Sequence, residues 1–238
     1  MGLFDKKNCS ICGEPIKFLS NRKLADGNMC KNCAVQLSPY MSFRKETVQE
    51  IIEHLAYRQE NKEEVSRFNP TLALGERTKI MVDEDGGTFI VTTSSRWQHE
   101  NPDVIKFEQV TGCKIDLKEN KQEERYKNSD GVEVSFNPPR YKITYDFYIT
   151  ILINSPWFSE IKFKLNDSSV DQANAVKYGE YKAKADEIKE VLTKNRAVAR
   201  GEAGGIKARG PVICPLCGAS TTPTIKGLCE YCGGVVVR

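Results

Sequence analysis

The sequence predicts an α+β chain: an antiparallel, strand-rich middle closed by a C-terminal helix, with a small cysteine module at each end. Three observations carry this reading. Eight of the nine cysteines fall in four C-x-x-C pairs, two pairs near each end of the 238 residues. The apolar spacing changes from near four to two at about residue 78 and returns to helical near 171. Turn signals then divide the period-two region, with Asp-Gly-Gly at 85–87, Asp-Gly at 130–131 and Ser-Pro at 155–156.

The first module, residues 1–40, holds Cys9, Cys12, Cys30 and Cys33, and the last, residues 213–238, holds Cys214, Cys217, Cys229 and Cys232. A two-residue gap lets both thiolates of a knuckle face one ion, and two knuckles complete the tetrahedral sulfur site that zinc prefers. Gly13, Gly218 and Gly233 each follow the second cysteine of a pair, where the chain must turn sharply. Two structural Zn2+ ions, held independently, are expected. Four thiolates also suit an iron–sulfur cluster, and spacing alone does not separate the two. Disulfides are not expected, because "MGLFDKKNCS" has no apolar signal region and the chain is therefore expected to stay in a reducing cytoplasm.

Catalytic zinc fails on ligand arithmetic. Such a site keeps a position open for water, whereas each set here supplies four sulfurs. The two histidines lie far from the cysteine pairs in sequence, His54 as an expected surface residue of a helix and His99 as a loop residue.

Between the first knuckles, Asp26-Gly27 reads as the turn of a hairpin, and the residues after Cys33 read as helix up to Ser38-Pro39. Knuckle, hairpin, knuckle and helix make a treble-clef-like arrangement. Residues 41–69 form a connecting helix. Thr47 and Glu50 make its capping box, and Val48, Ile51, Ile52 and Leu55 its apolar stripe. Residues 70–195 supply six to eight antiparallel strands. "RTKIMVDEDGGTFIVTT" forms a hairpin, and in "YKITYDFYITILI" residues Tyr141, Ile143, Tyr145, Phe147, Ile149, Ile151 and Ile153 share one face. A helix over 171–194, with Tyr181, Ala185, Ile188 and Leu192 on one stripe, closes this barrel or sandwich. Residues 196–212 read as a flexible basic linker, and "VVVR" as the last strand of a zinc ribbon.

The phrases "MGLFDKKNCSICG", "VIKFEQVTGCKIDL" and "NPPRYKITYDFYITI" resemble an uncharacterised bacterial family, domain of unknown function 4428, across residues 1–195. The strand-rich middle with its closing helix is similar to pleckstrin-homology-like or GRAM-like domains. The family carries no activity over to this chain. The resemblance implies only that Cys9, Cys12, Cys30 and Cys33 are metal ligands.

Charge bears on partners. The chain is +3 overall, with about +3 in residues 1–40, +5 in 194–238 and −5 between them. Phosphoinositide-binding pleckstrin domains need a basic first hairpin, but here Asp83, Glu84 and Asp85 occupy it, so anionic-lipid binding is not expected. No stretch is long enough to span a bilayer. A protein or peptide partner fits better. Nucleic acid is the second reading, through Lys194, Arg196, Arg200, Lys207 and Arg209 beside the ribbon. No phosphate loop, nucleophile elbow or HExxH motif occurs, and Cys113 reads as a small buried hydrophobe rather than a nucleophile. The chain is therefore expected to be a non-catalytic interaction or adaptor protein.

Overall fold

The computed structural model describes residues 7–17, 19–201, 212–221, 229 and 231–232. The N-terminal module is a short hairpin, β1 (Arg22–Lys23) and β2 (Asn28–Met29), followed by a one-turn helix, α1 (Lys31–Ala34). Helix α2 (Val48–Arg67) follows, and its capping box is formed as expected: the Thr47 side chain accepts from the Glu50 N–H, and the Glu50 carboxylate accepts from Thr47.

Eight strands form the middle. One open sheet has the order β3 (Leu72–Gly75), β4 (Lys79–Asp83), β5 (Thr88–Thr92), β6 (Ile105–Lys106), and a one-turn helix, α3 (Trp97–Glu100), links the last two. The second sheet centres on β8 (Glu133–Ile153). It pairs with β7 (Val110–Lys127) on one edge and with β9 (Glu160–Lys164) and β10 (Val170–Asp171) on the other. Every pairing is antiparallel, and no ladder joins the two sheets among the described residues. Their inner residues meet in one core. Ile80, Val82 and Phe89 come from the first sheet, Phe147, Ile149 and Ile151 from the second, and Ala185, Ile188 and Leu192 from the closing helix α4 (Ala175–Ala199). The last hairpin, β11 (Val212–Ile213) with β12 (Ser220–Thr221), frames Cys214 and Cys217.

The structure revises several expectations. The sheets are open, so the middle is two facing sheets rather than a closed barrel. The segments on either side of the Asp-Gly turn at 130–131 extend into β7 and β8, a single long hairpin whose far part projects from the body. Strand α-carbon pairing there runs from Gln122↔Lys142 to Lys127↔Glu133. Helix α4 begins at Ala175 because Val170–Asp171 add a strand to β8, and it runs past residue 194 to Ala199. There Arg196 donates to the Thr111 carbonyl, and Arg200 donates to the Glu108 and Val110 carbonyls. Two of the five cations assigned to the basic linker therefore fasten the end of the helix to β7. Most of that linker and the "VVVR" strand lie outside the described residues.

Helix α2 buries a face other than the one its apolar residues suggest. Ile52 is 43% exposed, whereas Ile51, His54, Arg58, Asn61 and Val65 are buried. Those five follow 3–4 spacing, so they do form one stripe, but three of them are polar. His54, expected at the surface, is fully buried against Tyr57 and Trp157. His99 lies exposed on the one-turn helix α3.

Candidate metal centres

The first knuckle of each cysteine set has the same local fold. In the first knuckle the Cys9 N–H donates to the Glu14 carbonyl and the Gly13 N–H to the Cys9 carbonyl; in the third, Cys214 donates to Ala219 and Gly218 to Cys214. Both glycines take positive φ, +77° and +73°, in open space. Left-handed backbone, rather than crowding, is what requires glycine there.

The four sulfurs of each set lie within 4.8 Å of one another. Cys9–Cys33 and Cys12–Cys30 are 3.9 and 3.8 Å apart, and Cys214–Cys232 and Cys217–Cys229 are 3.6 and 3.7 Å apart. A tetrahedral ion with metal–sulfur bonds of about 2.3 Å places its sulfurs about 3.8 Å apart. A disulfide would need about 2.05 Å. Both sets therefore have the spacing of a closed four-sulfur metal site, and their residues fit a zinc ion.

Burial and backbone donors divide the thiols within each set. Burial opposes ionisation of Cys9, but the N–H groups of Cys12, Cys30 and Ile11 outweigh it and bring the thiol down to about 6. Burial dominates at Cys33 and, with hydrogen bonds to its neighbours, pushes that thiol up. At the C-terminal set burial again opposes ionisation of Cys229, and the Cys232 and Tyr231 N–H groups bring it down to about 6. Ionisation is thus favoured at Cys9 in the first set and at both Cys214 and Cys229 in the second. Ionising the rest requires a cation to balance the charge, so metal uptake releases protons.

The N-terminal set shares a buried core with residues outside its module. Cys9, Cys30 and Cys33 share a core with Leu24, Met29, Leu37, Met41 and Ile51 of α2, with Trp157 packed against it. At the hairpin tip the Asp26 carboxylate accepts from the Val48 N–H at 2.7 Å, adding a second cap to α2. Gly27 is needed here for space, since a Cβ would come within 2.6 Å of the Val48 side chain.

Beyond the module, buried Arg58 and Asp103 pair at 2.8 Å. Asp103 also accepts from the Ser38 hydroxyl, and Arg58 donates to the Gln36 and Asn101 carbonyls. Burial raises the Asp103 carboxyl despite Arg58 and Ser38. Asn61 completes the clamp, donating to Asn101 and Pro102 and accepting from the Val104 N–H. A cavity of about 410 Å³ lies over this clamp, walled by Leu37, Tyr40, Val91 and Phe163. The sequence reading missed the clamp entirely, and only the 3–4 spacing of residues 51, 54, 58, 61 and 65 could have indicated it.

Two other predicted features also change. Asp83 is buried, accepting from the Asn69 and Gly86 N–H groups, so the first hairpin displays only Glu84 and Asp85. Cys113 lies half-buried on β7 against the core, and burial raises its thiol to about 11.

The fold and sites thus define a mixed α and β protein with two four-cysteine, metal-binding-type centres. The family model described as a domain of unknown function, DUF4428, matches residues 7–54. That match spans the N-terminal knuckles, the hairpin, α1 and the start of α2, the stretch that the Asp26 cap ties together, and is shorter than the resemblance across 1–195. No curated protein and no solved structure matches the chain. No helix among the described residues is long and apolar enough to cross a membrane.

Proposed function

We propose that the protein is a cytoplasmic, non-catalytic, zinc-stabilised adaptor whose strand-rich middle engages a protein or peptide partner. Four thiolates close a tetrahedron, so neither centre offers zinc an open position for water. That is the reason for reading both ions as structural. Two antiparallel sheets followed by a packed C-terminal helix support a pleckstrin-homology-like or GRAM-like reading of the middle domain, and the knuckle–hairpin–knuckle–helix order supports a treble-clef-like reading of the first module.

The observation that carries the partner reading is the projecting part of the β7–β8 hairpin. Among the described residues, β8 pairs only with β7 over 133–135 and 140–142, with a bulge between, and β7 is itself an edge strand. Two open backbone edges are a template for an added strand. Tyr126, Val132 and Tyr141 are exposed along this arm. Its charges are mixed in sign, which suits a protein surface better than a polyanion.

The test removes the arm while keeping the body. Replacing Gln122–Lys142 with Asn-Gly joins Lys121 to its ladder partner Ile143 through a two-residue turn. Zinc-loaded wild-type protein, treated with nuclease, is expected to capture a discrete protein partner that the shortened variant loses at unchanged metal content. Capture that survives the deletion, or that vanishes with nuclease, refutes this reading.

A further inference from the structure

We infer that the N-terminal module carries a second binding site, a basic cleft that takes the phosphate backbone of single-stranded nucleic acid. The cleft lies between the β1 hairpin and the turn at Phe43–Lys45, and is lined by Asn21, Arg22, Lys23, Leu24, Ala25, Phe43 and Arg44. Its volume is about 810 Å³, large enough for a nucleotide and open along the surface.

Three cations face this space, and no carboxylate lines it. Arg22, Lys23 and Arg44 form no ion pair among the described residues. The only side-chain hydrogen bond from any of them is a long one, 3.5 Å from Arg22 to the Asn21 carbonyl. The nearest acids in sequence lie outside the lining: Glu46 sits beside Glu50, Asp26 accepts from the Val48 N–H, and Glu50 accepts from Thr47. Unpaired arginines around one cleft are the arrangement that binds phosphate oxygens, because guanidinium donors match them in charge and geometry.

The surrounding field points the same way. Residues 7–45 carry seven Lys/Arg against two acids. A tetrathiolate zinc centre contributes two negative charges, which leaves this short unit clearly cationic. On α2, by contrast, Glu53, Glu60, Glu63 and Glu64 make the surface acidic. Three of the unit's seven cations line the cleft.

Phe43 distinguishes a nucleic acid from a lipid headgroup or an acidic peptide. It is half-buried against the module core, so its ring is held in place while still lining the cleft. A fixed aromatic beside cations stacks a base while the cations hold phosphates, the combination used by single-strand binders. The site is separate from the β7–β8 arm, so it stands or falls independently of the partner reading.

The experiment uses full-length zinc-loaded protein and a fluorescent oligothymidylate of about 20 nucleotides, read by anisotropy. Three phosphate contacts predict a log–log salt slope near −2 for single strands, with binding at about 50 mM salt that weakens roughly sixteenfold by about 200 mM. The triple variant Arg22→Glu, Lys23→Glu, Arg44→Glu should bind at least about tenfold more weakly, at unchanged zinc content and thermal midpoint. Phe43→Leu should weaken binding about fivefold or more while leaving the salt slope unchanged. Lys207→Glu with Arg209→Glu should change little. Undiminished binding by the triple variant overturns the inference. So does wild-type protein that ignores the oligonucleotide at about 50 mM salt, whether or not it binds phosphatidylserine vesicles.

Discussion

His54 gives the sharpest test of how the molecule is joined. The ring is fully buried, neither ring nitrogen meets a hydrogen-bond partner, and Trp157 packs edge-on at 5.1 Å. Burial, and then the nearby Arg58 cation, lower its pKa from 6.5 to about 4. The folded protein thus keeps His54 neutral where the unfolded chain protonates it. Between pH 6.5 and 4 the unfolded state binds the extra proton, so stability falls as pH drops through that window. Completed, the loss is about 3 kcal/mol, and by pH 5 it reaches about 2 kcal/mol. His54→Leu removes the titration and two unpartnered polar atoms, at the expense of one edge-on ring contact. Urea unfolding of both proteins with zinc present, at pH 7.5 and pH 5, isolates the effect because acid weakening of the metal centres is common to both. The stability difference should shift by about 2 kcal/mol in favour of the variant at pH 5. A difference that stays constant with pH would mean that His54 is protonated or solvated in the fold, and the argument would be wrong.

Three further outcomes are expected. Asp103→Ala leaves the Arg58 cation buried without its carboxylate and should lower stability by about 3–5 kcal/mol in urea unfolding, while replacing both residues with apolar ones should recover much of it. Gly13→Ala and Gly218→Ala force an alanine into left-handed backbone and should each destabilise their own module by about 1–2 kcal/mol, read as easier loss of zinc to a chromophoric chelator. Metal analysis should give two zincs per chain. Stripping them should red-shift a single-tryptophan variant reporting Trp157, which packs on the metal module, and leave unchanged one reporting Trp97, which packs with Phe68 and Ile90.

Legibility followed the kind of signal each residue carries. The cysteine pairs and the α2 capping box could be read because short-range chemistry dictates their spacing. The β8 face from Ile143 to Ile153 could be read because period-two burial is written in consecutive residues, whereas Tyr141, expected on the same face, is exposed on the arm. The buried polar clamp could not. Arg58, Asn61 and His54 count as exposed in any hydrophobic pattern, and only the distant segment around Asp103 makes their burial tolerable. The same reasoning explains Asp83, which reads as part of an acidic loop but whose carboxylate is held by two backbone N–H groups. Where strands end on a hairpin arm is equally hidden, because an exposed arm has no burial to impose a pattern.

The clamp also says what the N-terminal metal centre is for. A module of this size cannot bury enough apolar surface to fold alone, and three of the eight residues of its buried core are cysteines. A structural ion supplies about 10–16 kcal/mol of apparent binding energy in such modules, which replaces the missing core. That energy does not remain local. The knuckles position the hairpin whose Asp26 caps α2, and α2 carries Arg58 and Asn61 onto residues 101–104, which lead into β6 of the first sheet. Losing the ion should therefore loosen α2 from its start and expose the Trp157 face, while the facing sheets keep a core that contains no ligand cysteine. The metal centre acts on the β domain through one helix, and the polar face of that helix makes the attachment specific to a single register.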